Sequence, residues 1–186
     1  ITGIVNNGPL AVTLFNNNNT FTQGFNLVGN PYPSPIDWDH ATGWTKTNID
    51  NALYFFSAST TDEYGGTYST YINGISSDGI AGPIIPSMQG FFVHVSDGTY
   101  PVTGILGLDN NVRVTNQTQP FIKKGEFARP GLLKLIATFD DETKYSDPTI
   151  LYIDSKASMN FDSELDALKL MNTDYDVPSL FSISTD

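Results

Sequence analysis

The sequence predicts an all-β protein, an antiparallel β-sandwich or jelly-roll-like fold, arranged as two β modules with one short helix. Three observations carry that expectation. Short runs rich in Val, Ile, Thr, Phe and Tyr recur along the chain, and such residues suit a pleated, half-buried surface. Clusters of Gly, Pro and Asn separate those runs, and many short strands between turn signals read as a sandwich or barrel. A single segment shows apolar residues at helical spacing.

Taken in order, Ala11 to Phe15 alternates weakly and precedes the turn of Asn16 to Asn19. Gly24 to Val28 is the next strand, and it drives into Asn30-Pro31-Tyr32-Pro33-Ser34-Pro35. Proline fixes its own φ and pushes the preceding residue toward extended geometry, so this corner has one specified shape. Trp38 is expected to be buried against Tyr32 and the Pro31–Pro35 corner as a staple. Ala52 to Ser57 and Thr67 to Asn73 follow. The second puts Tyr68 and Ile72 on one face and Tyr71 on the other, before the hairpin signal Asn73-Gly74. Gly90 to Val95 ends at Ser96-Asp97-Gly98, and Thr99 to Leu108 and Asn111 to Thr115 are further candidates.

From Gln117 to Pro130 the apolar pattern lapses, with Lys123, Lys124 and Arg129 close together. That stretch reads as a connection between a module over residues 1–116 and a second, incomplete one over 131–186, set against an ordered surface loop. The second holds strands at Leu132 to Phe139 and Thr149 to Ile153 around an acidic turn. The helix is expected from Asp162 or Ser163, with Glu164 and Asp166 in its first turn and Leu165, Leu168 and Met171 on one face.

A net charge of −11 with nine Lys and Arg argues against nucleic acid, which needs a basic footprint. It argues equally against an anionic membrane surface. The absence of cysteine excludes disulfides, thiolate nucleophiles and zinc–sulfur sites. No apolar run approaches the ~18 residues of a spanning helix, so membrane insertion is not expected. Abundant Asn, Thr, Ser and Gly beside only 16% charged residues suit an extracellular β-protein.

Catalytic residues are not expected. The chain has two histidines, His40 and His94, no cysteine and no G-x-S-x-G elbow. His94 is expected on the outer face of its strand, pointing to solvent. Paired carboxylates abound, but proximity in sequence does not provide the facing geometry that a glycosidase needs. Calcium suits such oxygens better, since it takes several hard ligands from loops. Asp140, Asp141, Glu142 and Asp147 flank one turn and form the candidate structural calcium site, set against a solvated acidic loop. Aromatics give the other candidate. Trp44, Tyr64, Tyr68 and Tyr71 could stack on sugar rings through a flat apolar face with a polar handle, set against simple core filling.

Three blocks also carry a family resemblance: G-F-N-L-V-G-N-P-Y-P-S-P-I-D-W-D at Gly24 to Asp39, G-W-T-K-T-N-I-D-N-A-L-Y at Gly43 to Tyr54, and I-P-S-M-Q-G-F-F-V-H-V at Ile85 to Val95. Together with Phe161 to Thr173 and Val177 to Ser184, they resemble the region ahead of the C-terminal sorting domain in type IX secretion system surface proteins. The resemblance implies a secreted, cell-surface location, export of the parent by the type IX machinery, and partners among the parent's other domains. It also implies a fragment of a longer, adhesin-like chain, because the last block is normally followed by further strands. The expected function is a non-catalytic extracellular β-module for spacing, display or adhesion. The alternative is a carbohydrate-binding module gripping polysaccharide through exposed aromatics.

Overall fold

The computed structural model describes Gly3 and residues 5–115, 131–139 and 146–183. Among these residues the protein is nearly all β, and every strand pairing is antiparallel. A three-stranded sheet joins β1 (Leu10–Asn16), β10 (Val102–Leu108) and β4 (Trp44–Thr47) in that order. A five-stranded sheet runs β2 (Phe25–Gly29), β9 (Gly90–Val95), β5 (Ile49–Ala58), β6 (Gly66–Ile72) and β7 (Ile75–Ser76). Short strands β3 (Ile36–Asp37) and β8 (Ile84–Ile85) pair with each other, and β11 (Leu132–Thr138) pairs with β12 (Ser146–Tyr152) as a separate hairpin.

The principal core lies between the two larger sheets. Leu14 of β1 and Leu106 of β10 meet Leu53, Phe91, Val93 and Tyr71 from the five-stranded sheet. Period-two alternation sends the neighbouring residues Ala52, Tyr54 and Ile72 to the opposite face, where Phe25, Phe92 and Leu170 cover them. Burial of such aromatic and branched side chains, worth roughly 1.5–3 kcal/mol each, is what fixes the register.

The proline corner is built as the sequence implies. Asn30 turns its amide inward, donating from Nδ2 to the carbonyls of Ser34, Ile85 and Pro86, while Oδ1 accepts from the Tyr32 amide. The Tyr32 hydroxyl donates to the carbonyls of Gly8 and Leu108. Trp38 is 1% exposed. Its ring packs on Trp44 and Phe91 at centroid distances of 4.9 and 6.0 Å. Asn73 and Gly74 both take positive φ, 49° and 79°, the conformation that a two-residue hairpin turn of this kind demands.

Two expected elements differ. Asn111 to Thr115 is not a strand: Asp109 caps a 3-10 turn over Asn110–Val112, and only Arg113 bridges to Ile36. The expected helix does not form either. Asp162 does start a turn, its carbonyl accepting from Leu165 and Asp166 and its carboxylate from Glu164. After that turn the chain continues without helix or strand as a strap over the five-stranded sheet, its groups drawn off by partners there. Asn172 accepts from the Tyr68 amide, and Thr173 and Asp174 donate to the Gly66 carbonyl. Tertiary contacts override a two-turn propensity.

Candidate functional site

An open cleft of about 550 Å³ lies where the proline corner meets β4, β5 and the β6–β7 turn. The corner supplies Trp38, Asp39 and His40. Strand β4 supplies Trp44 and Lys46, which share a face because they lie two positions apart, with Thr45 between them. Asn51 of β5 and Asn73 of the turn complete the lining.

The groups in this cleft hold one another. Lys46 Nζ sits 3.6 Å from the centroid of the Trp38 ring and donates to Asn51 Oδ1 at 3.0 Å. Asn51 Nδ2 donates to Asn73 Oδ1 at 2.7 Å, and Asn73 Nδ2 donates to the Glu164 carbonyl of the strap. The indole N–H of Trp38 donates to the Asn51 carbonyl and that of Trp44 to the Asp37 carbonyl, each at 2.8 Å. Asp39 accepts from the Tyr71 hydroxyl, and His40 Nδ1 lies 2.8 Å from the Thr42 carbonyl. Burial pulls the Lys46 amine down to about 8, with Asp39 and Glu164 opposing that pull. Burial and the bond to Asp39 push the Tyr71 hydroxyl well above its usual range.

The four aromatics expected to bind glycan do not share a platform. Trp44 lines the cleft, half-buried. Tyr71 lies behind it with its ring in the core, 4% exposed. Tyr68 points to the opposite sheet face, tilted against Phe56 and edge-on to Phe92 at centroid distances of 5.1 and 5.9 Å. Tyr64 stands in the β5–β6 loop, 83% exposed. Of the polar cleft residues, the sequence presents His40 only as a non-catalytic histidine, Asp39 only among paired carboxylates and Asn73 only as a turn residue, and it does not single out Lys46 or Asn51. The alternation Trp44-x-Lys46 and the Asn-Gly turn were the legible hints.

Of the candidate calcium ligands, Asp140, Asp141 and Glu142 lie outside the described residues. Asp147 is buried, with both carboxylate oxygens 2.6 Å from Lys169 Nζ and the Leu180 amide donating to Oδ2. Among the described residues no group of three or more His, Cys, Asp or Glu is placed to hold a metal ion.

The solvent-facing expectation for His94 is corrected: it is 1% exposed. Its strand face is the outer one, but the β1–β2 turn folds over it. Nδ1 lies 2.6 Å from Asp50 Oδ2 and Nε2 lies 2.9 Å from the Gln23 carbonyl, so both ring nitrogens face acceptors. Gly24 makes room for this. With φ of 82°, a Cβ there would fall 2.7 Å from His94 Nε2 and 2.5 Å from Asn16 Nδ2. The Ser96 hydroxyl bonds Asp50 rather than the ring, whereas an activated nucleophile needs the base beside its own hydroxyl.

Fold and cleft together define an antiparallel, sandwich-like β-protein with a shallow aromatic and amide-lined hollow. The chain belongs to the family described as Domain of unknown function (DUF8693), whose model matches residues 1–185. No curated protein and no solved structure matches it. Among the described residues no helix is long and apolar enough to cross a membrane.

Proposed function

We propose that the chain is a non-catalytic extracellular β-module of a secreted, cell-surface multidomain protein, serving spacing, display or adhesion. The observation that carries this reading is the mutual engagement of the cleft groups: amine, amides, carboxylate and indole N–H groups bond to one another or to main chain. Such a network rigidifies a corner. The family resemblance supports export by the type IX machinery and partnership with neighbouring domains of a parent chain. The test is turnover. The purified, folded chain should leave polysaccharide, ester and peptide substrates unchanged. Activity that disappears in Asp39→Asn or His40→Gln, with folding intact, would overturn the reading.

A second reading is favoured by one feature, the half-buried Trp44 beside a ligand-sized hollow with amide and carboxylate groups at its rim. An indole face with nearby hydrogen-bonding groups is how a protein surface grips a sugar ring. Affinity electrophoresis through gels containing soluble polysaccharides addresses it. Retardation that Trp44→Ala abolishes would establish a carbohydrate-binding module, and unretarded migration in every gel would dismiss it.

A further inference from the structure

We propose that Lys46 is a reactive amine, placed to condense with the carbonyl group of a small aldehyde or ketone such as the open-chain form of a reducing sugar. This goes beyond the readings above and does not depend on them. Three features of the cleft argue for it.

The first is the fixed position of the nitrogen. In its neutral form the amine has two hydrogens and one lone pair. Asn51 Oδ1 at 3.0 Å takes one hydrogen, and the nitrogen sits 3.6 Å from the centroid of the Trp38 ring. Lys46 also lines an open hollow of about 550 Å³ that admits a small carbonyl compound.

The second is the surroundings, which favour the uncharged nucleophile. Burial disfavours the ammonium, and this outweighs the attraction of Asp39 and Glu164. A desolvated lysine is the kind that forms Schiff bases. Lys169 has the opposite setting, with both oxygens of Asp147 on its ammonium, and Lys156 is exposed.

The third is that proton carriers share the hollow. Asp39 and His40 line it with Lys46. In the step itself Nζ attacks the carbonyl carbon, a C–N bond forms, and the oxygen takes a proton to give a carbinolamine. The nitrogen lone pair then expels that hydroxyl, protonated by an acid in the cleft, as water. Both amine protons leave the nitrogen, one to the carbonyl oxygen and one to the base left by that acid, so the product is an imine with one water released per amine and carbonyl joined.

The experiment treats the folded chain with limiting glyceraldehyde and sodium cyanoborohydride, which reduces an imine to a stable secondary amine. Peptide mapping by mass spectrometry then ranks the lysines. Lys46 should be labelled about tenfold faster than Lys156 near neutrality, because an amine with lower proton affinity has far more neutral form there. Its rate should level off above a pH of about 8. In denaturant the preference should vanish. Asn51→Ala, which removes the acceptor that orients the amine, should slow Lys46 relative to Lys156. Labelling of Lys46 no faster than Lys156, or a preference that survives denaturation, would overturn the proposal.

Discussion

The sandwich of β1–β10 and the β11–β12 hairpin are both antiparallel, yet they solve the burial problem differently. In the sandwich, alternate residues face a shared core, and Leu53, Ile85, Val93 and Val95 are wholly shielded. In the hairpin, Leu133, Ile136 and Ile153 are 53, 58 and 81% exposed. A two-stranded hairpin has no second layer of its own. What ties it down is the strap that follows it. Tyr152 donates to the Leu165 carbonyl, Lys169 pairs with Asp147, and Leu170 packs against the buried cluster of Ala52, Tyr54 and Ile72. The same residue types therefore do different jobs: apolar packing holds one region, and a few polar ties and one leucine hold the other.

The largest expected effect breaks the sandwich side of that comparison. Trp38→Ala removes a fully buried indole that packs on Trp44 and Phe91 and hydrogen-bonds Asn51. Truncating a buried aromatic costs ~3–5 kcal/mol, which for a chain of this size lowers the melting temperature on the order of 10 °C. Thermal unfolding followed by circular dichroism measures it. A variant that melts with the parent would show that the corner is not the staple described.

A smaller effect should follow on the hairpin side. Asp147→Ala leaves the Lys169 ammonium and the Leu180 amide without their buried acceptor. Lys169 retains some solvent, 19%, so the loss should be about 1–3 kcal/mol. Hydrogen exchange should quicken in β11, β12 and the strap and leave β5 and β9 as they were. Equal acceleration in both regions would mean that sandwich and hairpin open as one unit.

This contrast also explains what could be read from sequence. Strands β2, β5, β6 and β9 were legible because their β-branched and aromatic runs are bounded by Gly, Pro and Asn, and Trp38 because prolines predetermine its corner. Strands of two residues, β3, β7 and β8, are too short to show any period. The strap carries a helical signal because Leu165, Leu168 and Met171 have helical spacing, while Tyr152, which bonds Leu165, and Tyr68 and Gly66, which bond Asn172, Thr173 and Asp174, are brought to it only by the fold. The cleft was half legible. Trp44 was visible as an aromatic, but Lys46, Asn51 and Asn73 become neighbours only once β4, β5 and the turn are folded together.

The cleft offers a third way to sharpen the comparison, through pH. Folding lowers the proton affinity of Lys46 from 10.5 to about 8, so the folded state binds this proton more weakly than the unfolded chain. Stability then rises with pH across the interval between those two values. Tyr54 and Tyr71 act oppositely: folding raises their proton affinity, so their contribution is present below pH 10 and declines above it. Melting temperature should therefore climb by a few degrees from about pH 8 to 9.5 and then fall, a modest effect. Lys46→Met should flatten the climb without touching the fall. A flat profile in the parent would mean that Lys46 holds its proton as tightly in the fold as outside it.

The smallest expected effect on stability belongs to Tyr64, the one candidate glycan residue whose ring is almost wholly in solvent. Its backbone is held, since its amide donates to Asp62 Oδ1 at 3.0 Å and the loop closes through Ser59 and Gly65. The side chain adds little packing, so Tyr64→Ala should change stability by less than about 0.5 kcal/mol. That silence makes it a clean probe, because a lost ligand could not be blamed on a damaged fold. Trp44→Ala is the matched partner, cutting into the cleft instead of the loop tip. If a polysaccharide retards the parent, loss with Trp44→Ala alone assigns recognition to the cleft, and loss with Tyr64→Ala alone assigns it to the loop. Retention by both variants would exclude stacking on either ring as the source of the grip.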